Sequence, residues 1–165
     1  TETDTEETNS DNSEPPSDGS TGDDDSGSSS GSDTESSNSE DNSDSVPQKI
    51  ADHLADARRY DDAVLDFTGQ DEVTVQVGAG DVGFAFSPAA IRINVGTTVI
   101  WEWTGQGGAH NVASVEGSDS DFNSGNAVSE DGVTFEQSFN NTGIQLYQCT
   151  PHQANGMLGA IEIVE

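Results

Sequence analysis

From Val73 onward, apolar residues recur at every second position: Val73-x-Val75-x-Val77, Phe84-x-Phe86, Ile91-x-Ile93-x-Val95 and Val99-x-Trp101-x-Trp103. A period of two sends alternate side chains to opposite faces, so each run reads as a strand with one face buried. Gly78-Ala79-Gly80, Pro88 and Gly96 supply the turns between them. His110-Asn111-Val112, Val133-x-Phe135, Phe139, Ile144 to Cys149 and Leu158 to Val164 continue the pattern. About eight short strands with frequent turns predict an all-β, two-sheet sandwich. Val99, Trp101 and Trp103 share one face, which assigns both indoles to core packing rather than to redox or stacking chemistry.

A helical pattern precedes the strands. Ser45-Val46-Pro47-Gln48 offers Ser as N-cap, Gln three residues on and Pro in the first turn. Ile50, Leu54 and Ala57 follow at helical spacing, and Arg58 and Arg59 suit a C-terminus, so a short helix is expected over 47–59. His53 on it reads as a packing or solvated residue, not a ligand. Before the helix, Thr1 to about Ser45 has no aromatic and no aliphatic residue larger than Pro. Such a segment cannot bury apolar surface to offset the entropy of ordering, and disorder is expected. The chain thus divides into an acidic low-complexity tail, 1–46, and a folded domain, 47–165, whose 119 residues suffice for one core.

Charge narrows the partners. Four basic residues against 32 acidic ones give a net charge of −28, which argues against nucleic acid and anionic membrane surfaces. The tail holds 15 of the acidic residues, so the remainder still carries 17 against 4, or −13. A head this acidic suits concentrated salt, where screening suppresses self-repulsion. No apolar run approaches about 18 residues, so no membrane-spanning helix is expected. No signal peptide is visible and the first residue is Thr1, which reads as a processed or truncated product.

The only Cys and the only Met lie together in Cys149-Thr150-Pro151-His152-Gln153-Ala154-Asn155-Gly156-Met157, with the spacing C-x2-H-x4-M. One Cys rules out an intramolecular disulfide. A nucleophile–base pair would need a third group orienting the His and an oxyanion hole, and neither is visible. Structural zinc normally takes several Cys or a Cys/His quartet. A buried thiol beside incidental His residues would explain any one of these elements, but not four in one pattern. With His110 upstream, the set becomes one thiolate, two imidazoles and a thioether. That is the donor set of a blue-copper centre, with Cys149, His110 and His152 in a trigonal plane and Met157 as the long axial ligand. Pro151 lacks an N–H and cannot donate to the sulfur, which leaves the thiolate more electron-rich. Three His in the whole chain are too few for the additional copper sites of a multicopper oxidase or nitrite reductase, so no enzyme is expected.

These residues resemble the cupredoxins, and most closely the halocyanins, small blue copper proteins of halophilic archaea. The resemblance runs from roughly Asp66 to Glu165. It rests on Trp101-Glu102-Trp103-Thr104-Gly105, on Gly108 to Val112, on Phe122-Asn123-Ser124-Gly125, and on Gly143 through Cys149 and His152 to Gly159. It implies an eight-stranded Greek-key sandwich with one copper ion at one end, bound by His110, Cys149, His152 and Met157. It also implies that Asn111 hydrogen-bonds across the site to hold the Cys loop. The edge of His152 is then the electron port, with Gly107, Gly108, Ala109, Ala154 and Asn155 around it.

The implied function is one-electron transfer between redox donor and acceptor proteins of a respiratory-type chain, by a monomer. A copper storage, delivery or sensing module is the alternative. The implied place is the outer face of the cell membrane, with the tail as spacer and a lipid anchor upstream of Thr1. Two positions depart from the family pattern, because Gln145 and Gln148 stand where aromatics are usual. Gln148 removes the exposed Tyr that plant plastocyanins use as a second docking route. Gln145 shares the parity of Cys149 and should point inward, where its amide needs partners.

Overall fold

The computed structural model describes residues 45–165, so the expectation of a disordered tail falls outside the described residues. Nine strands are present among them: β1 (Leu65–Asp66), β2 (Glu72–Val77), β3 (Phe86–Ser87), β4 (Ala90–Asn94), β5 (Thr98–Trp103), β6 (Ala113–Ser114), β7 (Thr134–Ser138), β8 (Gly143–Gln148) and β9 (Leu158–Val164). They form two sheets, one ordered β1-β4-β9-β8-β6 and the other β3-β2-β5-β7. β2 pairs with β5, and β4 with β9, in parallel, so the chain crosses between sheets in the Greek-key manner.

The alternation in the sequence accounts for the sandwich. β2 buries Val73, Val75 and Val77 and exposes the residues between them. Val75 pairs with Trp101 and Val77 with Trp103 in register, so valines and indoles line one inner face. They pack with Ile91, Ile93, Ile161 and Ile163 from the opposite sheet. Trp101 is ringed by Phe122, Phe135 and Tyr147 at centroid distances of 5.6, 5.4 and 5.5 Å.

The helix α1 covers the outside of the five-stranded sheet. Ile50 and Leu54, both fully buried, pack on Ala90, Leu146 and Ala160, and Val46 already joins this cluster. Burial of each of the two larger side chains contributes about 1.5–3 kcal/mol. This is why β9 is apolar on both faces.

Three local expectations are corrected. The helix runs only Gln48–Leu54, with Pro47 at the N-cap and no side-chain cap, so the Ser45 capping box does not form. It stops early because the chain turns toward the end of the sandwich: Ala57 N–H bonds to Leu54 O, Arg58 N–H to Gly156 O, and Arg59 is left-handed at φ 60°. Arg58 and Arg59 therefore do not serve the helix dipole. There are nine strands rather than eight, because β1 has both side chains exposed and shows no alternation; it is held by backbone pairing to β4. Finally, Phe84 precedes β3, and His110-Asn111-Val112 is no strand, since His110 makes only an isolated bridge with Val128.

His53 is a packing residue. Its Nε2 lies 3.1 Å from Tyr147 O, and burial holds its pKa below the usual histidine value, against the opposing pull of the Tyr147 and Gly159 carbonyls. A depressed folded-state pKa means that the unfolded chain binds the proton first as pH falls. Stability should thus be level above about pH 6.5 and decline below it. His53→Gln should flatten that part of the decline, read by denaturation at fixed salt between pH 7.5 and 5.

Candidate metal centre

The C-x2-H spacing works through a tight turn. After β8 the chain enters a 3-10 turn, Thr150–Asn155, in which His152 N–H donates to Cys149 O at 3.1 Å. This brings the His152 ring beside the Cys149 sulfur. Gly156 ends the turn in the left-handed region at φ 79°, its N–H capping on Gln153 O and His152 O. Met157 follows, fully buried, and its carbonyl accepts from Cys149 N–H at 3.0 Å. Cys149 and Met157 belong to the same buried cluster.

His110 arrives from the other side of the chain fold. Its backbone is held by Val128 in both directions, at 2.8 and 2.9 Å, and Trp103 Nε1 donates to its carbonyl at 3.0 Å. Its Nε2 lies 2.6 Å from Gln106 O, so Nε2 carries the proton and Nδ1 is left with a free lone pair. That Nδ1 lies 3.5 Å from Cys149 Sγ and 3.0 Å from His152 Nδ1, and His152 Nδ1 lies 3.5 Å from the sulfur. A point equidistant from the three atoms is about 1.9 Å from each, close to the roughly 2.0–2.3 Å of nitrogen and thiolate bonds to zinc, a metal of similar size. The donors fit one small, borderline-soft ion.

Electrostatics agree. Burial raises the Cys149 thiol above its usual range, opposed by the backbone N–H groups of Asn111 and His152. Burial also lowers His110, against the Gln106 carbonyl, and His152 lowers it further. The His110 imidazole thus favours the neutral, ligating form, and a metal must displace the thiol proton of Cys149 to bind.

The neighbours have definite tasks. Asn111 Oδ1 accepts from Thr150 N–H at 2.8 Å, and its Nδ2 donates to Thr150 Oγ1 at 3.1 Å and Gly125 O at 3.3 Å. It staples the Cys loop to the Phe122–Gly125 segment. Ser124 completes that contact, exchanging bonds with Val112. Pro151 is exposed at the second position of the 3-10 turn. Gln145 is buried, and its Oε1 accepts from Ser118 Oγ, Ser120 N–H and Ser120 Oγ at 2.8–2.9 Å, which answers its need for partners.

Two site residues were not legible in the sequence. Gln106 acts through a carbonyl, which every residue possesses. Phe84 looked like one more strand position, yet its ring stacks on His152 at 4.4 Å and 25°. Gly83 and Gly107 allow this, since their backbones approach so closely that a Cβ on either would strike the other.

A Greek-key β-sandwich carrying two imidazoles and one thiol at one end defines a cupredoxin-type metalloprotein. A family model described as copper binding proteins of the plastocyanin/azurin family matches residues 72–164, and the chain belongs to that family. It is 62% identical to halocyanin of Natronomonas pharaonis over 110 residues, 67% of this chain and 66% of that protein. It is 28% identical to chloroplastic plastocyanin of Pisum sativum over 55% of this chain and 58% of the pea protein. The chain thus spans just under two thirds of the halocyanin and less of the pea protein. Among solved structures, oxidised plastocyanin of Dryopteris crassirhizoma is 24% identical over 55% of this chain and 99% of its own, with a TM-score of 0.46.

Proposed function

We propose that this protein is a one-electron carrier holding a single copper ion between His110, Cys149 and His152, with Met157 as weak axial ligand. The observation that supports it is the closed triangle of two imidazole nitrogens and one sulfur, buried except along half-buried His152. Bound copper would supply the Cu(II)/Cu(I) couple, with thiolate and thioether donors favouring Cu(I).

The chain does the rest. The Asn111–Thr150 and His110–Gln106 bonds hold the donors in one arrangement, so little reorganisation accompanies a change of oxidation state. Half-buried His152, stacked on Phe84 and two residues before exposed Ala154, is the port for a redox partner. Storage or delivery would be better served by exposed, exchangeable thiols, whereas Cys149 is fully buried. The visible spectrum and voltammetry of the copper-loaded protein test the proposal. An intense thiolate band with a reversible wave supports a carrier; a colourless protein with no wave supports storage.

In this reading the donor and acceptor are respiratory-type proteins met at the outer face of the cell membrane. Residues 47–165 form the head, on which Val46 is already seated, and the residues before it form the acidic spacer to a lipid anchor. No helix among the described residues is long and apolar enough to cross a membrane. Deleting residues 1–45, which hold no donor, should leave spectrum and potential unchanged. The head alone carries −13, so both forms should melt higher in molar salt than at low ionic strength. A changed spectrum on truncation would count against the division.

A further inference from the structure

The segment leaving α1 is fastened to the ligand loop, and it lies outside the family match, which begins at residue 72. Arg58 N–H donates to Gly156 O at 2.8 Å, and its Nε donates to Asn155 O at 2.6 Å. Gly156 is pressed against this segment: a Cβ there would collide with Asp56 O and stand 3.3 Å from Arg58 N. One turn earlier, His53 Nε2 reaches Tyr147 O at 3.1 Å. Residues 53–58 therefore grip the ligand-bearing strip just before Cys149 and just before Met157. Between these grips the strip is a 3-10 turn, a weaker hydrogen-bonding geometry than an α-helix, and Thr150, Pro151, Gln153, Ala154 and Asn155 are all exposed. Such a turn needs external bracing to keep one conformation.

We propose that residues 53–58 are a clamp on the metal-ligand loop, with Arg58 as a positioning residue that holds Gly156 and, through it, Met157. The clamp's effect on copper rests on the ligand reading above. Released, Gly156 would let Met157 withdraw, and with copper bound a weaker thioether interaction would raise the potential.

The test uses the full chain with Arg58→Ala, which removes the guanidinium bond, and Arg58→Pro, which removes the backbone donor as well. In copper-free protein, the amides of Gly156 and Met157 should exchange several-fold faster in Arg58→Ala and faster still in Arg58→Pro. In copper-loaded protein at molar salt, where a lost surface charge is screened, the potential should rise and the charge-transfer bands shift in the same order. Arg58→Lys, which keeps the charge but cannot place a donor at the Nε position, should restore neither. Wild-type exchange and potential in both folded variants, or full restoration by Lys, overturns the clamp. If Arg58→Pro does not fold, Arg58→Ala alone decides. A wild-type protein without a thiolate band sinks the copper reading, while exchange in the copper-free protein still decides the clamp.

Discussion

Cys149→Ser should erase the intense visible band of the copper-loaded protein completely and leave the sandwich folded. The band requires charge transfer from a thiolate to the metal, and a hydroxyl offers neither the soft donor nor the accessible anion. Cys149 is fully buried with both His Nδ1 atoms 3.5 Å from its sulfur, so no other side chain can take its place. The substitution is nearly isosteric, and a buried hydroxyl there should cost about 1–3 kcal/mol. Absorption and circular dichroism on the same sample separate the two effects. A surviving strong band would sink the assignment. His110→Ala and His152→Ala should instead weaken binding and open the site to added imidazole.

Trp103→Ala should have the largest effect on stability, about 3–5 kcal/mol, the range for removing a large buried aromatic. Trp103 is 2% exposed and packs in the inner cluster, and its Nε1 donates to His110 O. The cavity would open directly behind a ligand-bearing residue, so copper affinity should fall together with stability. Trp103→Phe keeps most of the packing and removes the indole donor, and should cost about 1 kcal/mol, the net value of one hydrogen bond. His110 O still accepts from Val128 N–H, so the site should survive in that variant. Chemical denaturation at fixed salt reads both; equal costs for the two substitutions would show that packing around Trp103 contributes little.

Much of the site was legible because its chemistry is carried by rare side chains. One Cys, one Met and few His leave few alternatives: Cys149 and His152 stood out by their spacing, His110 by its residue type, and the structure brings these three together. The strands were legible for a similar reason, since alternation is a local consequence of pleating. Where local signals were weak, the reading failed. β1 has no buried side chain, so it exists only through its pairing with β4. The helix stopped at Leu54 although Ala57, Arg58 and Arg59 fitted a longer one, because hydrogen bonds to the ligand loop outweigh a few tenths of a kcal/mol of helix propensity.

By itself, then, the order of residues determined the candidate donors, the half-buried strands and the acidity of the head. All three depend on side-chain identity or on neighbours a few positions away. The tertiary structure alone decided that Gln106 orients His110, that Phe84 stacks on His152, that Ser118 and Ser120 satisfy Gln145, and that Arg58 bonds to Asn155. These contacts use backbone carbonyls, common aromatics and residues that are up to 97 positions apart. No spacing rule marks such pairs, because what brings them together is the packing of two sheets and one helix around a shared core.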